Sequence, residues 1–441
     1  MDYDVIVLGS GPAGMAAAYG LKEAGQKVAV VESYLWGGTC PNYGCDPKKI
    51  LMSAVEAQAR GKALAQKGLV GETHINWEAL LAFKKSYTDE IPTRQKGGLE
   101  EANITTYAGA ASFVSPHALQ VGEQILSAHQ FLIATGQQVR QLDIPGQEYL
   151  KNSTDFMALP HLPRRVAFVG AGYIAFELAT IARAAGAEVH VIHHNDRPLK
   201  GFDEELVQEL VAHLQEAGIV FHFDVSLSEV QKEQAGYRLV APDFELETDL
   251  VIGATGRTPN LGALHLERAH VDYGKNGILV NEYLQTTQPH IYACGDVLAK
   301  EAPKLTPVAS YEAKYAVAAM TKATDQPLTY PLLPTVVFGD YRLARIGVSE
   351  KELAAEPTKY HSQLLDLHDW YTYFRIQDQK AKIKLVYDEA DRLVAVTCFS
   401  SLADELINYF VLVLNKKISP AELSDYIFAY PGLANDLNYL L

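Results

Sequence analysis

Two cysteines separated by four residues, Cys40 and Cys45, are the side chains of this sequence best suited to chemistry. Gly37 and Gly38 precede them, and such a glycine pair lets the backbone approach another group closely. Pro47 suits the first turn of a helix, so the pair is predicted at a helix N-terminus, where the helix dipole favours the reactive thiolate. The alternative is a pair of buried structural cysteines.

The composition limits the class of protein and its partners. The chain has 441 residues, 48% hydrophobic and 21% charged, which predicts a globular protein of two or three domains. A net charge of −15 argues against nucleic acid or an anionic membrane as partner. No apolar run approaches the roughly 18 residues of a membrane span. The first predicted strand starts almost at Met1, so we expect no signal peptide and a cytoplasmic location. In a reducing cytoplasm a close cysteine pair is catalytic or metal-binding, whereas Cys294 and Cys398 receive no role.

Residues 3 to 32 predict a complete dinucleotide-binding unit: an apolar strand, a glycine-rich turn, a helix of small residues and a second strand. Gly9 makes the turn, Gly11 lets backbone amides reach a pyrophosphate, and Gly14 lets helix and strand pack closely. Glu32 ends the second strand and is predicted to accept hydrogen bonds from an adenosine ribose. The alternative is a glycine-rich turn with no ligand.

A second copy begins at Arg165, at a constant offset of 161 residues from the first. Its glycines are Gly170 and Gly172, and Ala175 replaces the third, which the fingerprint tolerates. The ribose-side acid is replaced by histidine and followed by further basic residues: His193, His194, Arg197 and Lys200. These side chains favour a 2′-phosphate, so we predict NADP here. The alternative is a solvated basic loop, with which NAD stays possible.

Two similar segments follow the two copies, and their Thr-Gly turns predict the crossings between the nucleotide-binding domains. Candidate cofactor contacts in these turns and beside the cysteine pair are Thr135, Gly136, Gly256, Arg257, Gly38 and Thr39. Farther along, Asp296 follows a strand, and Thr306 opens an Ala-rich helix. An acid at a strand end and a helix N-terminus suit a flavin, since the acid can bind ribityl hydroxyls and the dipole can stabilise negative charge on the reduced ring. The alternative for Asp296 is an ordinary strand-end cap.

From about Tyr330 the pattern changes to short alternating strands followed by helices, which predicts an α+β domain used for an interface.

The whole order of motifs resembles the pyridine nucleotide–disulfide oxidoreductases, with glutathione reductase as the most similar branch. The resemblance covers Asp4 to about Val386 and is most specific in GGTC-x-N-x-GC-x-PKK, GAGYIA-x-ELA and LTPVA. It implies an α/β fold with two Rossmann-like domains, for FAD and NADPH, and a C-terminal α+β dimerisation domain of a homodimer. The predicted boundaries are 1–149 and 265–329 for FAD, 150–264 for NADPH, and 330–441 for dimerisation.

The resemblance also implies roles for individual residues. Cys45 would be the thiol in contact with the flavin, and Cys40 the interchange thiol that attacks the substrate disulfide. Lys48 and Glu177 match an ion pair beside the flavin, although from the residues alone Glu177 reads as an ordinary helix-surface acid. Tyr173 matches an aromatic lid over the nicotinamide site.

The substrate side of the pattern departs from the family. Tyr430 stands where disulfide reductases of this family carry the C-terminal histidine that moves protons, and Asn435 replaces the glutamate that follows it. An unperturbed tyrosine, with a pKa of about 10, is a poor base at neutral pH. Tyr19 and Lys314 occupy positions at which glutathione reductases use arginine, so glutathione is doubtful as substrate. Asp46 follows Cys45 directly. A carboxylate in contact with the thiolate would raise its pKa, and the alternative, which we favour, is that Asp46 caps the helix and points away from the sulfur.

The leading hypothesis is therefore an enzyme that passes electrons from NADPH through FAD and the Cys40–Cys45 disulfide to a small disulfide or related acceptor. A second hypothesis is reduction of a metal ion or quinone. Mercuric reductases share the cysteine pair and have a tyrosine near the position of the missing histidine, which Tyr430 matches. Their C-terminal vicinal thiols are absent here, since no cysteine follows Cys398. A third hypothesis is a redox-inert nucleotide-binding descendant.

Overall fold

A computed structural model describes all residues, 1–441. The helices are α1 Pro12–Glu23, α2 Thr39–Tyr43, α3 Cys45–Ala63, α4 Trp77–Thr88, α5 Ile91–Glu101, α6 Ser153–Met157, α7 Tyr173–Ala184, α8 Glu204–Glu216, α9 Thr306–Met320, α10 Glu350–Ala355, α11 Tyr371–Phe374, α12 Ala403–Lys416, α13 Pro420–Leu423 and α14 Leu433–Leu440. None of these helices is long and apolar enough to cross a bilayer.

The structure has 23 strands, which form six sheets. They are β1 Tyr3–Leu8, β2 Val28–Glu32, β3 Thr105–Ala108, β4 Ala111–Ser115, β5 Ala118–Val121, β6 Gln124–Ile133, β7 Gln137–Val139, β8 Arg165–Val169, β9 Glu188–Ile192, β10 Ile219–His222, β11 Glu229–Glu233, β12 Gly236–Ala241, β13 Phe244–Thr248, β14 Leu250–Gly253, β15 Arg257–Pro259, β16 Tyr273–Gly274, β17 Gly277–Ile278, β18 Ile291–Ala293, β19 Thr335–Val337, β20 Arg342–Gly347, β21 Tyr360–Asp366, β22 Lys382–Asp388 and β23 Leu393–Ser400.

The first sheet has the order β3-β2-β1-β6-β5-β4, with β18 paired to the other edge of β6. Its central strands are parallel, with Val7 opposite Val30 on one side and Leu132 on the other. These strands are buried along almost their whole length, because helices cover parallel sheets on both faces. The small residues of α1 pack closely against α9, where a Cβ on Gly20 would lie 3.3 Å from Val317.

The second sheet repeats this core in the order β10-β9-β8-β14, and all its strands are parallel. Its first strand turns into α7 at Gly170, whose φ is +108°. A Cβ on Gly170 would lie 2.4 Å from the carbonyl oxygen of Ala254, and one on Gly9 2.5 Å from that of Ala134. In both units the turn therefore approaches the backbone just after the neighbouring parallel strand, which is β6 for Gly9 and β14 for Gly170.

The C-terminal sheet is antiparallel, with the order β19-β20-β23-β22-β21. Its inner face packs on α12, whose buried side chains include Leu406, Ile407 and Phe410. Together with a buried Tyr373 these residues form a hydrophobic core of their own. This is the α+β arrangement predicted for the end of the chain.

By their internal contacts the residues fall into two compact units. The first comprises Met1–Lys49, Ala82–Arg140 and Gly256–Tyr330, and contains the first sheet. The second comprises Ile50–Leu81, Gln141–Thr255 and Pro331–Leu441, and contains the other parallel sheet and the antiparallel sheet. The chain leaves the first unit after Lys49 and returns to it twice, at Ala82 and at Gly256.

Candidate active site

The turn after β1 forms a backbone cradle in the first unit. A Cβ on Gly14 would lie 1.8 Å from the carbonyl oxygen of Gly9, so only glycine lets α1 pack this closely. Gly38 has a φ of +68°, and a Cβ there would lie 2.5 Å from the Cα of Gly11. The turn and the loop that carries Cys40 therefore meet backbone to backbone. No side chain caps α1 at Gly11, so the N–H groups of its first turn can bind an anion.

Glu32 is buried and holds this loop in place. Its Oε2 accepts hydrogen bonds from the backbone N–H and the hydroxyl of Ser10, at 2.9 and 2.7 Å, and its Oε1 accepts one from the N–H of Tyr34 at 2.9 Å. The Ser10 hydroxyl in turn accepts a hydrogen bond from the N–H of Gly37 at 3.0 Å. Ser10 was not singled out from the sequence, although it stands between the first two glycines of the motif.

The cysteines lie on two consecutive short elements. Cys40 belongs to α2 and is half-buried, whereas Cys45 is the first residue of α3 and its side chain is exposed. The helix therefore starts two residues before Pro47. Asn42, buried between the cysteines, donates hydrogen bonds to the carbonyl oxygens of Trp36 and Gly38 at 3.0 and 2.8 Å, and so fixes α2.

In the reduced pair one sulfur keeps its proton and the other is ionised, because their surroundings shift the two pKa values in opposite directions. The hydrogen bond from Cys40 lowers the pKa of Cys45 to about 6, helped by the Thr306 hydroxyl at 3.5 Å and the charge of Lys48, and opposed by the loss of water around the sulfur where protein atoms surround it. The same hydrogen bond, together with burial, raises the pKa of Cys40. At neutral pH the reduced pair is therefore a thiolate at Cys45 and a thiol at Cys40. The position of Cys45 at a helix N-terminus favours the same assignment.

Asp46, for which the sequence predicts a helix cap pointing away from the sulfur of Cys45, directs its carboxylate at the sulfur of Cys40. Its Oδ1 lies 3.9 Å from the sulfur of Cys40, and its Oδ2 accepts a hydrogen bond from the Tyr87 hydroxyl at 3.0 Å. The carboxylate acts on Cys45 only as a minor influence that raises its pKa. Asp46 is in the first turn of α3. Its contacts with Cys40 and Tyr87 show that its side chain is directed at α2 and α4.

Asp296 follows β18, and burial raises the pKa of its carboxyl group, opposed by the charges of Lys300 and Lys304. A residue missed in the sequence fixes this strand end. Glu312 of α9 is fully buried and accepts hydrogen bonds from the N–H of Gly295 at 2.7 Å, from the Tyr330 hydroxyl at 2.6 Å and from Lys300. An acid within an Ala-rich helix was the available signal.

The two Thr-Gly turns are joined by pairing of β7 with β15. Thr135 donates a hydrogen bond to the carbonyl oxygen of Asn260 at 2.9 Å, and Gly256 accepts one from the N–H of Arg140 at 3.1 Å. The Nε of Arg257 is buried and has no hydrogen-bond acceptor. A buried guanidinium nitrogen with an unused donor fits an anionic or carbonyl-bearing ligand such as a flavin dinucleotide.

The predicted 2′-phosphate site follows β9. His193 is buried, and this burial lowers the pKa of its imidazole, so it is neutral at neutral pH. Arg197 forms an ion pair with Glu204 at 3.3 Å, whereas His194 and Lys200 are exposed. Positive charge at this site thus comes from Arg197 and Lys200 rather than from His193. Tyr173, the first residue of α7, is 48% exposed.

Glu177 is not the helix-surface acid that its residue type suggests. Its side chain is 4% exposed, and its Oε1 accepts a hydrogen bond from the backbone N–H of Phe338 at 3.0 Å. The ion pair with Lys48 stays a prediction. Tyr430, by contrast, is 74% exposed, and its ring stacks on that of Tyr371 with 6.5 Å between centroids.

The sequence of this chain is similar to those of glutathione reductases and mercuric reductases. A glutathione reductase of Burkholderia cepacia is 31% identical over 439 residues, which cover 99% of this chain and 97% of that protein. A mercuric reductase of Staphylococcus aureus is 30% identical over 447 residues, which cover 99% of this chain and 81% of that protein. The solved structure of the HOCl-induced flavoprotein disulfide reductase RclA from Escherichia coli has the same fold, with a TM-score of 0.88 at 23% identity and coverage of 99% of both chains.

Two family models match nearly the whole chain. Residues 3–313 match the pyridine nucleotide-disulphide oxidoreductase model, and residues 333–440 match the dimerisation domain of the same family. The predicted α/β fold with a C-terminal dimerisation domain is confirmed. The chain belongs to the pyridine nucleotide-disulphide oxidoreductase family, whose members are oxidoreductases that use FAD and NAD(P)H.

Proposed function

We propose that this protein takes electrons from NADPH and passes them through FAD and the Cys40–Cys45 disulfide to a small oxidised acceptor, in the first place a low-molecular-weight disulfide. The observation that carries the proposal is that Cys40 and Cys45 lie close together, so that a hydrogen bond between their sulfurs lowers the pKa of Cys45 and raises that of Cys40. Cys40 can attack an acceptor disulfide once its thiol has lost its proton, and the Cys45 thiolate can then resolve the mixed disulfide.

The residues of the first unit fit FAD. The glycine turn offers free backbone N–H groups to a pyrophosphate, and the buried Nε of Arg257 has an unused hydrogen-bond donor. We assign to FAD the side chains and backbone of Gly9, Gly11, Gly14, Glu32, Gly38, Thr39, Thr135, Gly136, Gly256, Arg257, Asp296 and Thr306. When bound, FAD supplies a two-electron carrier between nicotinamide and the cysteine pair. Lys48 and Glu177 are proposed to orient its ring as an ion pair.

NADPH is the proposed electron donor, bound at Gly170, Gly172 and Tyr173. Lys200 and Arg197 support the preference, because they are the cations that follow β9 where NAD-binding sites carry an acid. Steady-state kinetics with both nicotinamides test this choice. NADPH is expected to give the higher kcat/KM, and a higher value with NADH would refute it.

A homodimer is the proposed assembly, formed through residues 333–440, the match to the dimerisation domain. Exposed aromatic side chains are numerous there: Tyr371, Phe374, Tyr426, Tyr430 and Tyr439. Aromatic residues are enriched at protein interfaces. We propose a cytoplasmic location, where a reducing environment suits a thiol-based enzyme.

Anaerobic titration of the purified flavoprotein with NADPH tests the electron relay. A long-wavelength absorption band from contact of the Cys45 thiolate with the flavin is expected, and Cys45→Ser should abolish it while Cys40→Ser keeps it. The relay is wrong if no band appears or if the band survives in Cys45→Ser. If the protein oxidises NADPH with none of the acceptors, the result favours a redox-inert protein that only binds nucleotides.

Reduction of a metal ion or quinone is the second candidate, favoured by the 30% identity to a mercuric reductase and by Tyr430 in place of a histidine. No group of three or more His, Cys, Asp or Glu side chains is arranged to hold a metal ion, so a metal would have to meet the cysteine pair itself. Turnover with a panel of disulfides, metal ions and quinones separates the candidates. Activity confined to metals or quinones would overturn the disulfide proposal.

A further inference from the structure

The acceptor side of the cysteine pair contains a carboxylate that none of the assigned roles uses. Asp46 Oδ1 lies 3.9 Å from the sulfur of Cys40, and the two residues belong to consecutive elements, α2 and α3. Cys40 is the half-buried thiol of the pair, so the carboxylate faces the sulfur that keeps its proton.

Tyr87 holds Asp46 in this orientation. Its hydroxyl donates a hydrogen bond to Oδ2 at 3.0 Å, which leaves Oδ1 directed at Cys40. The guanidinium carbon of Arg94 lies 5.9 Å from the centroid of the Tyr87 ring, on the side of α5. A chain of contacts within the first unit thus runs from the sulfur of Cys40 through Asp46 and Tyr87 to Arg94.

The sequence lacks the usual proton carrier. No histidine follows His368, so no histidine is available in the C-terminal segment around Tyr430. Thiol–disulfide exchange still requires that the attacking thiol lose a proton and that the departing thiolate gain one. A carboxylate in contact with the thiol meets both requirements.

We propose that Asp46 is the catalytic acid–base for Cys40 and that Tyr87 is its positioning residue; this rests on the disulfide reduction proposed above. Asp46 takes the proton of Cys40 as the sulfur attacks one sulfur of the acceptor, whose S–S bond breaks while a Cys40–acceptor bond forms. Asp46 then gives the proton to the first departing thiolate. The Cys45 thiolate attacks the Cys40 sulfur, the second thiolate leaves and takes a proton from water, and two electrons have passed from the pair to the acceptor.

The test uses two disulfide probes that differ in how much their leaving group needs a proton. In flavin-loaded Cys45→Ser protein reduced with dithiothreitol, the rate of mixed-disulfide formation at Cys40 is measured by mass spectrometry. Bis(2-hydroxyethyl) disulfide releases a basic alkyl thiolate, whereas dithiobis(nitrobenzoate) releases a stabilised aromatic thiolate. Asp46→Asn is expected to slow the alkyl probe by about 10²-fold, the lower end of general acid–base effects. The aromatic probe should be slowed less than the alkyl probe, because its thiolate departs without needing a proton, although Cys40 must still lose one.

The matched control is Glu123→Gln, which removes an exposed carboxylate from the turn between β5 and β6 and should leave both rates unchanged. Tyr87→Phe should slow the alkyl probe selectively, by about tenfold, because it acts only through Asp46. Equal slowing of both probes in Asp46→Asn, or no slowing of either, would overturn the proposal. The assay uses no NADPH, so failure of the electron relay and failure of the Asp46 assignment give different results.

Discussion

Replacing Thr306 by valine tests how the structure makes Cys45 a thiolate. The Thr306 hydroxyl lies 3.5 Å from the sulfur, and valine keeps its shape without the hydrogen bond. A hydrogen bond to a charged group contributes roughly 1.5 kcal/mol at the lower end of its range, which corresponds to about one pKa unit. The pKa of Cys45 should therefore rise by about one unit from its value of about 6. At pH 7 the ionised fraction falls from about nine-tenths to about one-half.

The assay is the pH dependence of the long-wavelength thiolate–flavin band in the two-electron-reduced protein. In Thr306→Val the midpoint of the band should move toward neutral pH, whereas Thr306→Ser, which keeps a hydroxyl, should titrate as the original protein does. The reasoning is refuted if valine and serine variants titrate together. In that case Cys40 and Lys48 alone would account for the thiolate.

The same pair couples pH to the stability of the reduced protein. The lowered pKa of Cys45 stabilises the folded state fully above the unfolded value of about 8.5 and loses this effect as pH falls toward about 6. The raised pKa of Cys40 stabilises the folded state below about pH 8.5 and loses this effect as pH rises. The contribution of the pair should therefore peak near pH 8.5. Urea unfolding of the reduced protein and of its Cys45→Ser variant across this range measures it.

Three further predictions concern the cofactor sites. Gly14→Ala should abolish FAD retention, since its Cβ would lie 1.8 Å from a backbone oxygen, whereas Gly97→Ala, with open space around it, should retain FAD as measured by absorbance. Glu312→Gln should lower the free energy of unfolding by about 3 kcal/mol by leaving the buried Lys300 ammonium without its charge partner; recovery is expected when Lys300→Met is added, and its absence would argue against the ion pair. Lys200→Ala should raise the KM for NADPH about tenfold with little change in that for NADH, and equal changes would remove this lysine from the phosphate site.

Local sequence was sufficient to predict the nucleotide-binding units. The turns at Gly9 and Gly170 require positive φ and close backbone contact, which only glycine satisfies, so their spacing carries structural information directly. Glu32 could likewise be placed at the end of β2 from the strand pattern alone. The residues that support these features, such as Ser10, were missed because a small polar residue in a turn has no distinctive pattern.

Side-chain direction was the information that the sequence lacked. Asp46 has the residue type of a helix cap, and Glu177 that of a surface acid. Their surroundings come from elements distant in sequence: Tyr87 on α4 for Asp46, and the backbone of Phe338 for Glu177. A local pattern cannot indicate such partners, because any exposed helix position would tolerate the same acid.

The sequence by itself determined the fold class, the two dinucleotide-binding turns and the position of the redox pair at the start of a helix. Each depends on spacing along the chain, where glycine, proline and strand periodicity act over a few residues. Only the tertiary structure decided how the proton is divided between Cys40 and Cys45 and which side chain faces Cys40. Those properties depend on groups brought together from α2, α3, α4 and α9, since electrostatic influence on a sulfur is set by distance in space.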